Sequence, residues 1–166
     1  MNFRLERLTA EHPVGAFTCG KRPGAAEIDE FLRPQALAQQ TLGLSSVTVA
    51  VDPETARVVG FYSLSPLSIR IDDSVKVAMG LEGSPYRGVE GYLLGRLGVS
   101  VDYQGKEYGP LLVERAIDAA RKARTQTGGA FLAVDPKNVK LLNWYLGLQF
   151  GFVRLDAKQS RIVLRL

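Results

Sequence analysis

The stretch Leu97-Gly-Val-Ser-Val-Asp-Tyr-Gln-Gly-Lys-Glu-Tyr-Gly-Pro-Leu-Leu112 constrains the chain more than any other. The apolar run Tyr92 to Ser100 reads as a central strand, and Gly95 and Gly98 within it are places where another backbone or a ligand can come close. A turn bearing Gly105 and Gly109 follows. Pro110 then opens a helix to about Thr125, with Leu112, Ala116, Ala119 and Ala123 on one face. Such a junction presents free backbone N–H groups and the positive end of a helix dipole, which together suit a phosphate or pyrophosphate. It is not a Walker loop, because no Gly-Lys-Ser/Thr stands at the required spacing, and it lacks the spaced glycines of a dinucleotide fold. Taken alone it is weak evidence, since glycines such as Gly105 and Gly109 are more often plain turn residues.

The flanking sequence supplies the rest of a mixed sheet. Phe3 and Leu5 alternate with polar residues as a short first strand. Ala25 to Gln40 has near-helical apolar spacing, and Pro34 inside it predicts a division or kink. Residues 46–51 and 57–64 form a hairpin across a loop of about five residues. Residues 65–90 read as a strand fragment, Leu67 to Ile71, followed by an irregular excursion bordering a binding cleft. Gly128-Gly129 stops the long helix and Ala130 to Val134 is a buried-type strand. Asp135 then caps a helix beginning at Pro136 and carrying Val139, Leu142 and Leu146, and strands at Phe152 to Leu155 and Ile162 to Leu166 close the chain. Strand and helix alternate in the second half, so the class is α/β (α+β), a mixed sheet with helices on its faces.

Composition narrows the chemistry. The 166 residues suit one domain, 1–166. One cysteine, Cys19, and one histidine, His12, cannot build a typical zinc site or a disulfide framework, so no metal is expected. Cys19 reads as a small packed residue, and His12, beside Pro13 in a polar stretch, is poor ground for a catalytic base. No run approaches a spanning helix and no secretion pattern opens the chain, so a soluble, cytoplasmic protein without a membrane partner is expected. The 21 Lys and Arg against 17 Asp and Glu leave a net charge of +4, which favours polyanionic partners without naming one.

The 104–109 segment resembles the Gln/Arg-x-x-Gly-x-Gly/Ala pyrophosphate loop of the GNAT family of N-acetyltransferases, with Gln104 and Gly109 in register and Glu107 where the family has its first glycine. Downstream, Asn138-Val-Lys-Leu-Leu-Asn-Trp-Tyr145 is similar to the family's Asn-x-x-Ala-x-x-Phe-Tyr stretch and is followed by Gly151-Phe152. Five residues separate Tyr145 from Gly151 here, where three is common. Phe17-Thr-Cys-Gly20, the helix with Phe31-Leu32, the strand ending Val59-Gly-Phe-Tyr-Ser-Leu64 and Leu94-Gly-Arg-Leu-Gly-Val99 extend the likeness over nearly the whole chain, to the acetyltransferase toxins of toxin–antitoxin pairs. That resemblance implies a sheet splayed at an acetyl-CoA site with helices on both faces. It implies acetylation of the amino group of aminoacyl-tRNA, a block of translation, restraint by a small DNA-binding antitoxin, and a homodimer.

The resemblance also implies roles. Main-chain N–H groups near Leu97, Gly98 and Val99 polarise the thioester carbonyl and hold the pantetheine. Amides of Gln104, Gly105, Lys106, Glu107, Tyr108 and Gly109 hold the pyrophosphate, Asn138 bonds the coenzyme, and Tyr145 is the general acid. Each has a plainer rival: Tyr145 with Trp144 as an aromatic core pair, Asn138 in local backbone bonding. A β-carbon at Glu107 obstructs the coenzyme if the family glycine serves a positive φ or a close approach. The basic side chains are dispersed, Lys158 among them. Arg96, Arg154 and Arg161 are the candidate substrate contacts, within a late group from Arg154 to Arg165. Two rival functions stay open: N-acetylation of a small amine or protein N-terminus, and an acetyl-CoA-binding module whose chemistry is impaired.

Overall fold

Strands β2 (Ser46–Val51) and β3 (Val58–Arg70) form the hairpin that the alternating apolar residues predict. Its register runs from Ser46↔Leu64 to Ala50↔Gly60, with a bulge before Val51. The short β1 (Arg4–Arg7) lies antiparallel on the other edge of β2. The computed structural model describes residues 2–155, 157 and 160–166, so Lys158 lies outside the described residues. Contacts divide the chain into two compact units, Met1–Ser65 with Gly95–Ala116 and Pro66–Leu94 with Ile117–Leu166.

In the first unit, α1 (Ala25–Glu30) and α2 (Ala36–Thr41) are joined by one π-helical turn, Phe31–Gln35, that contains Pro34. Proline lacks the N–H of an α-helical rung and its ring crowds the preceding turn, and the wider turn absorbs both defects. The predicted division of the helix is thus a π-turn. Phe31 and Leu32 at that turn are buried with Leu8, Phe17, Val47, Val49 and Phe61 in one apolar cluster. Phe61 stacks on Phe31 at 6.0 Å and meets Phe17 edge-on at 5.6 Å. Gln40 is buried but satisfied: its amide donates to Leu8 O and accepts from the Val47 N–H.

The second unit is built on β5 (Phe131–Val134), parallel to β4 (Gly88–Val99) and antiparallel to β7 (Ile162–Arg165), which also pairs with the two-residue β6 (Val153–Arg154). Gly91 is required here, because a β-carbon would sit 2.5 Å from Phe131 O. The parallel pair needs a crossover, supplied by α4 (Tyr108–Thr127). Ile69, Ile71, Met79, Val89, Phe131, Ala133 and Val163 form the core. Along the chain's sheet the order is β1-β2-β3-β4-β5-β7-β6, a mixed sheet of seven strands with five α-helices among the described residues, as the α/β class requires.

Three sequence readings are corrected. Residues 65–90 are not a fragment plus irregular chain: β3 runs unbroken through Pro66 to Arg70, and α3 (Asp73–Ala78) follows. The cap of that helix is Asp72, whose side chain accepts from the Val75 N–H at 2.9 Å. β4 begins at Gly88, four residues before the predicted start. The fifth helix, α5, is Val139–Gly147, capped by Asn138 rather than by Asp135. Asp135 instead forms a forked ion pair with Arg161, at 2.7 and 2.8 Å, and is thereby drawn away from the helix start.

Candidate active site

The first unit holds the strand end, the turn and the helix start that the sequence singled out. β4 ends at Val99, Ser100 N–H donates to Val59 O, and a 3-10 turn over Val101–Tyr103 leads to Gln104. Gln104 is anchored at both ends. Its N–H donates to Val101 O, and its side-chain Nε2 donates to Cys19 O at 2.9 Å and Val99 O at 2.8 Å. Its part is to fix the root of the loop that follows.

That loop alternates in hand. Gly105 has φ +73° and Glu107 φ +62°, while Lys106 between them and Tyr108 after them lie on the ordinary side. Alternating right- and left-handed residues turn successive N–H groups toward one concave side, the geometry of an anion nest. Among the described residues, the N–H groups of Gly105, Lys106, Glu107, Tyr108 and Gly109 make no hydrogen bond, and the 20-residue α4 begins there. A doubly charged phosphate ester fits such a cradle on charge and on donor supply. The positive φ at Glu107 also explains why a glycine is usual at this position. The Glu107 side chain itself is exposed.

Upstream, Gly98 is held by packing. A β-carbon on it would lie 2.7 Å from Ile28 Cγ2, 2.9 Å from Phe61 and 3.0 Å from Cys19 Sγ. Leu97 and Val99 flank it at the end of β4. Arg96 N–H donates to the Ser63 hydroxyl at 2.9 Å, and its guanidinium lies 5.4 Å above the Phe31 ring. Burial pushes the Cys19 thiol up to about 12, reinforced by the Asp29 carboxylate beside it, so Cys19 is a packed, protonated thiol. His12 is committed on both ring nitrogens, Nδ1 accepting from the Thr9 N–H and Nε2 meeting Glu6 at 3.1 Å.

In the second unit, Asn138 Oδ1 accepts from the Leu141 N–H at 2.8 Å, which leaves its Nδ2 donors and one Oδ1 lone pair for a ligand. Tyr145 is 5% exposed on α5, with Trp144 at 4.8 Å and Phe152 at 5.9 Å, both edge-on. Burial raises its phenol well above the ordinary value, so it stays protonated. The longer Tyr145-to-Gly151 segment is the last turn of α5 followed by Gln149 at φ +59° and Gly151 at φ +102°.

The model of the acetyltransferase (GNAT) family matches residues 25–152. The chain belongs to that family. It is a GNAT N-acetyltransferase, with acetyl-CoA as co-substrate. The fold is shared over full length with solved structures. A tyrosine-to-phenylalanine variant of KacT matches at TM-score 0.85 and 22% identity, covering 99% of this chain and 95% of that one. AtaT complexed with acetyl-methionyl-tRNAfMet matches at 0.83 and 22%, with the same coverage. AtaTR bound with acetyl-CoA matches at 0.80 and 22%, covering 99% and 94%.

The GNAT chain's arginines differ in how far they are committed. Arg161 is tied to Asp135, and Arg165 donates to Met79 O and Ala130 O, while Arg154 stands exposed on β6. Among the described residues no cluster of His, Cys, Asp and Glu is placed to hold a metal ion, and no helix is long and apolar enough to cross a membrane. Asp29 was missed in the sequence: it reads as one more acidic residue on an amphipathic helix, yet it is 4% exposed.

Proposed function

We propose that this acetyltransferase is a toxin that acetylates the amino group of aminoacyl-tRNA and thereby blocks translation. The observation that carries the reading is the likeness, over 99% of the chain, to AtaT complexed with acetyl-methionyl-tRNAfMet, alongside KacT. The net charge of +4 agrees with a polyanionic acceptor.

Acetyl-CoA supplies an activated acetyl thioester. The nest of Gly105 to Gly109 holds the pyrophosphate, with Gln104 bracing its root and Asn138 Nδ2 giving a further hydrogen bond to the coenzyme. Backbone N–H groups around Leu97, Gly98 and Val99 orient the pantetheine and polarise the carbonyl, a use of fixed dipoles at developing charge. The neutral amino group of the acceptor attacks the thioester carbon, Tyr145 delivers its phenol proton to the departing sulfur as the C–S bond breaks, and the proton lost by the acetylated nitrogen returns to the phenolate through solvent. A free phenol near pH 10 is a weaker acid than a thiol near 8.5, so this proton moves late rather than early. Arg96 and Arg154 contact the acceptor, and Arg161 does so through the edge of its guanidinium that is not turned to Asp135. A small DNA-binding antitoxin restrains the toxin, in line with the AtaR complex and the KacTA-DNA complex of the neighbours, and the active form is a homodimer.

A second reading is N-acetylation of a small amine or a protein N-terminus. It draws on one observation: Arg161 and Arg165, two of the late basic group, are spent on internal partners. Induced expression separates the two readings. The toxin arrests growth, and Tyr145→Phe relieves the arrest with the protein still accumulating. Unimpaired growth with retained turnover on small amines favours the second reading.

A further inference from the structure

We propose that Asp29 is a positioning residue that sets the shape of the acetyl-CoA loop through the backbone of Thr18 to Gly20. The proposal rests on the reading of residues 105–109 as the pyrophosphate cradle. A carboxylate 4% exposed carries a large desolvation cost and persists only where its lone pairs are used. Asp29 Oδ1 accepts from the Cys19 N–H at 2.7 Å, and Oδ2 accepts from the Thr18 hydroxyl at 2.8 Å with the Arg33 guanidinium at 3.3 Å.

Both bonds lead onward. The peptide group joining Thr18 and Cys19 gives its N–H to Asp29 and, through Thr18 O, accepts from the Val101 N–H at 2.8 Å. The next peptide group, joining Cys19 and Gly20, gives its N–H to the Thr18 hydroxyl at 3.1 Å and, through Cys19 O, accepts from Gln104 Nε2 at 2.9 Å. Two successive peptide units therefore have their donors on the Asp29 side and their acceptors on the loop root. A charge at one end of such a chain polarises each bond along it, which strengthens the far ones. The segment has no slack, since a β-carbon on Gly20, at φ +87°, would lie 3.3 Å from Val101 Cγ2. Val101 opens the 3-10 turn and Gln104 is the last residue before the cradle. Asp29 thus fixes both ends of the short span from which Gly105 to Gly109 depart, touching no reacting atom itself.

The test is a double-mutant cycle on the full chain, with acetyl-CoA affinity read by calorimetry and thermal melting as a check on folding. Asp29→Ala and Gln104→Leu each weaken acetyl-CoA about threefold or more, and the double variant is little worse than the weaker single, because both cut the same relay. Asp29→Asn recovers most of the affinity, since its amide can still accept from Cys19 and donate to Thr18. The acceptor KM does not move. Losses that simply add, or an Asp29→Ala protein that binds as tightly as wild type, overturn the proposal. If Asp29→Ala does not fold, Thr18→Val, which cuts only the hydroxyl branch, takes its place in the cycle and is judged by the same criterion. A wild-type protein that binds no acetyl-CoA overturns the cradle reading first, and the relay with it.

Discussion

Tyr145→Phe lowers kcat by about 10²- to 10⁴-fold, the span typical of losing a positioned proton donor. The ring keeps its edge-on contacts with Trp144 and Phe152, so the fold and the acetyl-CoA affinity are retained. The pH profile carries a second signature. An acid must be protonated to act, and burial raises the Tyr145 phenol above its ordinary value. Its activity is therefore present below that ordinary value, about 10, and is lost only as pH rises through the higher folded value. No alkaline fall in kcat from this group is expected between pH 7 and about 10. A phenylalanine variant within tenfold of wild type, or a wild-type kcat that falls through pH 8 by ionisation of this tyrosine, would place the acid elsewhere.

Glu107→Gly tightens acetyl-CoA binding and raises the melting temperature together. Glu107 sits at φ +62°, where a side chain costs about 1–2 kcal/mol relative to the right-handed region. Glycine gives back about 0.5–1 kcal/mol through its freer unfolded chain. The balance is up to about 1.5 kcal/mol of stability, or a rise of up to about 3–6 °C in Tm for a chain of this size. Charge acts on binding as well: a carboxylate about 8 Å from a doubly charged pyrophosphate costs about 1 kcal/mol at the dielectric of water, close to fivefold in affinity, less at high salt. Calorimetry at low and high salt with a thermal melt measures all three. A variant that melts lower than wild type and binds acetyl-CoA no better would mean that the carboxylate makes a favourable contact in the complex.

The contrast between Glu107 and Asp29 shows what the sequence conveyed and what it withheld. The strand–turn–helix frame was legible because a continuous apolar run, turn glycines and a proline each act locally. A departure at Glu107 stood out against a short motif, and the left-handed backbone now gives its physical meaning. Asp29 carried no such signal: its burial follows from how α1 meets the 17–20 segment, a contact made ten residues away in sequence. The continuity of β3 carried no local signal either, because a proline argues against an interior strand position, yet β3 passes through Pro66. The start of α5 was misplaced because Asp135 and Asn138 are both good caps, and only the pairing of Asp135 with Arg161 decides between them. The late arginines were legible as charge but not as commitments: the carbonyls that hold Arg165 belong to Met79 and Ala130.

The most direct measurement incubates the purified protein with acetyl-labelled coenzyme and total charged tRNA and follows the label. Label on the amino acid of aminoacyl-tRNA, lost when Tyr145 is replaced by phenylalanine, is the predicted result. Label that reaches small amines or protein N-termini while charged tRNA stays unlabelled would contradict it.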